Sequence, residues 1–205
     1  MLVPVLALLT AYLAWRLGWL SAGGATAAVA VALTTWAAGG WPAIWALLIY
    51  FILANLAGLL ARSHAQPKRN GWQVLANGGG AAAGLLGGSP EFFLGALGAS
   101  LADTAATEVG SRSQWAWKPC LGRVASGTNG AISPLGTLAL VVAGGTFALL
   151  AAILGFGLLG VWAGSIAGAL ADTILSWGEE RYPWWGNDIT NFLATLVGGA
   201  FSLAV

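Results

Sequence analysis

The residues best suited to chemistry lie in ASLADTAATEVG, Ala99–Gly110, where Asp103 and Glu108 stand with Thr104 and Thr107 at the end of an apolar run. The core of that word returns as GALADTILSW at Gly168–Trp177, with Asp172 and Thr173, an offset of 69 residues from Asp103. Ionisable side chains in the hydrocarbon region of a membrane cost about 2.5–3.5 kcal/mol each on insertion scales, so their retention points to function. The plain alternative is a hydrogen bond between helices that only holds a bundle together. On a helix Asp103 and Thr107 share one face and Thr104 and Glu108 an adjacent one. Asp103 and Glu108 are five apart and point in different directions. One helix therefore does not make a dicarboxylate site; Asp172 and Asp188 must close it from other helices.

The donor set is oxygen. His64 is the single histidine and sits in a connecting loop, and Cys120 is the single cysteine. Zinc and copper are disfavoured, and an internal disulfide is excluded. Carboxylate, amide and hydroxyl oxygens suit Mg²⁺, which binds through one or two carboxylates plus substrate phosphates.

Two glycine-rich words could cradle phosphate. Ser126-Gly127-Thr128-Asn129-Gly130 leads straight into the apolar run near 131–153, with Lys118 and Arg123 upstream. Ala76-Asn77-Gly78-Gly79-Gly80 follows Lys68 and Arg69. Glycines let backbone N–H groups approach a phosphate, and a helix N-terminus adds a favourable dipole. Neither word is a Walker A motif. The alternatives are a simple turn for the first and topological charges for Lys68 and Arg69. Before the last apolar run, WGEERYPWWGNDITN holds Glu179, Glu180 and Arg181, read as a solvated turn. It also holds Asp188, which fits a helix cap as well as a cation ligand, and Asn191, one turn further in.

The elements that carry these residues must be membrane helices. The chain of 205 residues is 58% hydrophobic and 7% charged with mean hydropathy +0.80, whereas soluble domains carry about 25% charged residues. The apolar runs lack the period-two alternation of barrel strands. The expected fold is all-α: one polytopic integral membrane bundle over residues 1–205, with about eight transmembrane helices (six to eight). The eight runs fall near 2–18, 21–39, 42–61, 71–88, 91–110, 131–153, 156–177 and 187–204. Residues 1–61 read as a helical packing segment and 62–205 as the segment carrying the polar motifs. The first run lacks the basic start of a secretory signal and reads as a retained span. The tryptophans gather near span ends as an aromatic belt.

All eight basic residues fall in or beside alternate connections. The positive-inside rule then sets these connections in the cytoplasm and both termini outside. In that topology Asp103, Glu108, Asp172, Asp188, Asn77 and Asn191 all occupy the cytoplasmic half. The outer half offers little but Ala, Gly, Leu, Val and Trp. A polar cavity open on one face favours an enzyme over a channel or transporter, which needs polar groups at the midplane. No basic run points to nucleic acid. The bilayer is the one partner that composition requires, and homo-oligomer formation stays open.

Four words in order, QVLANGG at 73–79, GALGASLADTAATEVG at 95–110, SGTNGAISPLGTLA at 126–139 and NDITNFLATLVGG at 187–199, carry a resemblance. Together they resemble the integral membrane family, of DUF92 type, that includes the phytyl-phosphate kinase of plants and cyanobacteria. The first 60 residues add little beyond hydrophobicity. The resemblance implies transfer of a phosphoryl group from a nucleoside triphosphate, CTP first among them, to an isoprenoid monophosphate such as phytyl phosphate, as in vitamin E biosynthesis. It implies a multi-pass protein of the cell (inner) membrane, or a cyanobacterial or plastid membrane in a photosynthetic source. The matching positions are Asn77, Asp103, Thr107, Glu108, Thr128, Asn129, Ser133, Asp172, Asp188 and Asn191. On this basis Asp103, Glu108, Asp172 and Asp188 are expected to hold Mg²⁺ or orient the attacking phosphate. Lys68, Arg69, Lys118, Arg123 and the Gly127–Gly130 amides are expected to hold nucleotide and lipid phosphates. The alternatives are a CTP-dependent prenol kinase or cytidylyltransferase, and a carrier of small anions or lipids.

Overall fold

The computed structural model describes residues 2–61 and 68–205. His64 and Arg62 lie outside the described residues. The chain is helical nearly throughout: α1 (Leu2–Arg16), α2 (Ala22–Ala61), α3 (Gly71–Val74), a π-helical turn (Leu75–Gly79), α4 (Gly80–Leu86) and α5 (Pro90–Gly110). After a short β-hairpin, β1 (Ala116–Lys118) and β2 (Gly122–Val124), come α6 (Pro134–Ile153), α7 (Leu158–Arg181) and α8 (Asn187–Ser202). Among the described residues three helices are long and apolar enough to cross a membrane: Ala22–Leu59 within α2, then α6 and α7.

The long α2 is two arms. Its helical path breaks at Gly40 (φ 63°, ψ −153°), and Pro42 follows in the first turn of the second arm, where a missing N–H does no harm. A straight helix would carry Phe51 about 44 Å from residue 22. Instead the Phe51 ring lies 5.9 Å from that of Trp19, just before the first arm, so the arms run antiparallel. The expected division into 21–39 and 42–61 is recovered as one bent element.

Helix α5 is the axis. From Phe93 to Ala102 every residue is buried, as suits a helix apolar on all sides. It packs against α2, α4, α6, α7 and α8. Small residues make this possible, because backbones approach closely where side chains are absent. A methyl added at Gly168 of α7 would overlap the Cβ of Ala99 and come within 2.7 Å of the Ala194 carbonyl of α8. A methyl at Gly198 of α8 would overlap Ala99 as well. Three helices thus meet at Ala99.

Two local differences from the sequence reading matter for function. The loop expected after α5 contains the antiparallel hairpin, pairing Ala116 with Val124 and Lys118 with Gly122. And α7 runs to Arg181, so Glu179, Glu180 and Arg181 form its last turn and not a solvated linker. Apolarity ends at Trp177, but the backbone hydrogen bonding continues.

Candidate functional site

The contact at Ala99 fixes the site. Asp103 lies four residues after Ala99 on α5, and Asp172 four residues after Gly168 on α7, so one further helical turn brings both carboxyls together. The sequence offset of 69 between the two ADT words is also the offset of the packed pair Ala99 and Gly168. The Asp103 and Asp172 side chains face each other and interact directly. Two carboxylates cannot hydrogen-bond one another without a proton or a cation between them, since ionised carboxylates only accept. Asp172 Oδ2 is buried and without a hydrogen-bond partner.

Around this pair the charges alternate. Glu179, two turns beyond Asp172 on the same face of α7, interacts electrostatically with both aspartates. Its Oε2 accepts a hydrogen bond from Asn129 Nδ2 at 3.1 Å, while its Oε1 is buried without a partner. Arg69 supplies the positive charge, acting on both Asp103 and Glu108. The start of α2 seats it: Arg69 N donates to Trp19 O at 3.1 Å, Ser21 N donates to Arg69 O at 3.0 Å, and Gly24 leaves room for that carbonyl.

The glycine-rich turn docks on the end of α7. Asn129 Nδ2 also donates to Ser176 O at 3.3 Å, and Trp177 Nε1 donates to Gly130 O at 3.3 Å. Gly127 (φ 83°) and Gly130 (φ 67°) both take left-handed backbone, which glycine adopts without strain. Thr128 Oγ1 donates to Ala125 O at 2.7 Å. Ser133 caps α6, accepting from Gly136 N at 3.1 Å and donating to Gly110 O at 3.2 Å. That bond ties the start of α6 to the end of α5.

On the opposite side, Asn77 lies in the π-helical turn. Its Nδ2 donates to Gln73 O at 3.1 Å. Such turns interrupt α-helices mostly at functional positions. A Cβ at Gly80 would lie 3.4 Å from Phe192 and from Thr195, so Asn77, one turn before Gly80, stands level with the first half of α8, where Asn191 lies.

Other expected members stand apart from the pair. Lys118 is buried and forms an ion pair of 2.6 Å with Glu180; it fastens β1 to α7. Arg123 lies over the Trp115 ring at 5.3 Å. Lys68 and Thr107 are exposed. Glu108 faces α2, its carboxyl within 4 Å of a Cβ built at Gly58. Asp188, in the first turn of α8, is not among the charges acting on Asp103 or Asp172. Among the described residues no three of His, Cys, Asp and Glu gather closely enough to form a metal site by themselves. The Asp103–Asp172 pair, with an orphan buried oxygen and only oxygen donors around it, still fits Mg²⁺ of the kind that completes its shell with substrate phosphates.

Glu179 is the residue that reading the sequence missed. Asp172, Ser176 and Glu179 recur at i, i+4 and i+7, the mark of one helical face. That spacing is visible in the sequence once the helix is allowed to extend beyond Trp177.

The family described as "Integral membrane protein DUF92" matches residues 5–199 of the chain. An uncharacterized membrane protein of the cyanobacterium Synechocystis sp. (strain PCC 6803) is 28% identical over 200 residues, covering 83% of this chain and 76% of that protein. No solved structure matches the chain at a significant level.

Proposed function

The chain belongs to the DUF92 family of integral membrane proteins, and from that premise we propose that it transfers the terminal phosphoryl group of a nucleoside triphosphate, CTP first, to an isoprenoid monophosphate. The observation that carries the reading is the Asp103–Asp172 pair, which joins α5 to α7, with a buried unpartnered oxygen on Asp172 and the positive charge of Arg69 acting on Asp103. Phosphoryl transfer asks a protein for positioning and charge neutralisation more than for covalent chemistry. An oxygen of the lipid phosphate attacks the γ-phosphorus, the bond from that phosphorus to the β–γ bridging oxygen breaks, and lipid diphosphate and nucleoside diphosphate leave. No net proton is taken up when both substrates are fully ionised.

In this assignment Asp103 and Asp172 would hold Mg²⁺, and Glu179 fixes Asn129 through its Oε2. Mg²⁺, when bound, supplies neutralisation of charge on the phosphates. Arg69 holds the acceptor phosphate. The Gly127–Gly130 turn, held to α7 through Asn129 and Gly130, offers backbone N–H groups to the nucleotide. Glu108, Asp188, Asn191, Lys118 and Arg123 take supporting places around the same end of the bundle. By the positive-inside reading that end faces the cytoplasm, and both termini lie outside.

The deciding experiment gives purified protein a panel of prenyl monophosphates with each nucleoside triphosphate, with and without Mg²⁺. Label carried from the γ-phosphate into a lipid diphosphate is the expected result. Label carried from the α-phosphate would mean nucleotidyl transfer, and flux through proteoliposomes without nucleotide would mean a carrier; either result overturns the proposal.

A further inference from the structure

The N-terminal segment, featureless by sequence, borders a partly open chamber. A cavity of about 290 Å³ lies between α1, both arms of α2 and the π-helical turn. That is close to the lower end of ligand sites, roughly 300–1,000 Å³. Its walls are apolar, with Leu6, Val31 and Leu48 from the three helical arms. Along the second arm of α2 it extends from Phe51 to Trp41, about 15 Å of helix. No acidic side chain lines it, and its amide and guanidinium groups, Arg69, Gln73 and Asn77, come from one short stretch of chain. Arg69 is the same residue that interacts with Asp103 and Glu108. One residue, Arg69, thus both lines the chamber and carries a charge that acts on Asp103.

We propose that this chamber takes the single hydrocarbon chain of an isoprenoid monophosphate, with the phosphate at Arg69 and the chain running between α1 and the arms of α2 toward Trp41. The inference rests on the phosphotransfer reading for the class of lipid, and on the structure for its place. An apolar cavity with a cation in its wall discriminates twice. The walls select a chain by packing contact, since in the bilayer its surface is already out of water, and the guanidinium selects a phosphate with which it forms charge-assisted hydrogen bonds. A volume of about 290 Å³ suits one chain and not the two of a bilayer phospholipid. It also gives α1 and α2, which hold none of the acidic groups, a part in the site.

The test is binding of geranylgeranyl monophosphate to the full-length protein in detergent, without nucleotide or Mg²⁺, with geranylgeraniol as the control lacking phosphate. Ala28 and Ala32 line the chamber one turn apart and neither is fully buried, so a larger side chain at either has room to enter the cavity. Ala28→Phe and Ala32→Phe are each expected to weaken binding of the phosphate lipid at least tenfold while leaving thermal unfolding unchanged. Arg69→Gln is expected to weaken the monophosphate tenfold or more and leave the alcohol unaffected. Wild-type affinity in both phenylalanine variants would overturn the assignment, as would equal displacement by dioleoyl phosphatidic acid. Binding with this pattern but no phosphoryl transfer from any nucleotide would sink the kinase reading and leave the chamber. Transfer by the wild type with an unchanged KM in Ala32→Phe would do the reverse.

Discussion

Two carboxyl groups facing each other across a helix interface are held there by the packing of everything around them. If Asp103 and Asp172 only fastened α5 to α7, an amide would serve as well, because Asn donates the hydrogen that a carboxylate pair lacks. Asp172→Asn is therefore expected to leave thermal stability equal or higher while cutting phosphoryl transfer about a hundredfold or more, the scale on which removing one preorganised electrostatic group acts. Asp103→Asn is expected to behave in the same way. Thermal unfolding in detergent beside labelled-nucleotide transfer checks both; a variant that loses stability but keeps its specific activity would make the pair structural. Glu179 shows how a residue's meaning turns on the length of its helix. Placed in a linker it is one of three solvated charges; placed two turns beyond Asp172 it joins the aspartates and Asn129.

At the scale of elements, the site is a consequence of register. Ala99 packs against Gly168 and Gly198, and the aspartates follow one turn later. Gly168→Val is expected to force α5, α7 and α8 apart and to cost about 1–3 kcal/mol of stability, as overpacking of a close contact does. Loss of transfer activity should accompany it although no charged residue changes. The hairpin behaves differently. Lys118 reaches Glu180 at 2.6 Å, but the Glu180 side chain is 53% exposed, so screening by water keeps the pair under about 1 kcal/mol. Lys118→Gln should leave overall unfolding nearly unchanged and raise the rate of proteolysis in the β1–β2 loop, which mass spectrometry of the fragments reads directly. Helix α2 carries a similar lesson. The sequence divided 21–39 from 42–61, and the break at Gly40 proved to be a sharp reversal that places Phe51 beside Trp19.

At the scale of the whole molecule, the Asp103–Asp172 pair and the chamber share Arg69, which lines the one and acts on the other. Chelation of divalent metal by EDTA is expected to abolish transfer and Mg²⁺ to restore it, while the protein stays folded by circular dichroism. Retained activity in EDTA would remove the metal from the assignment. The sequence by itself determined that the chain is a helical membrane protein, because 58% hydrophobic residues in continuous runs admit no other way to satisfy a backbone in lipid. It also determined most helix boundaries and singled out the ADT words as candidates, since a carboxylate in such a run is costly. Only the tertiary structure decided which acids meet. Asp172 joins Asp103, and Asp188 stands apart, because the meeting depends on which glycines let which helices touch. The same holds for the chamber in residues once read as packing alone. A cavity is a property of how three helical arms diverge, and no local pattern of apolar residues records the space between them.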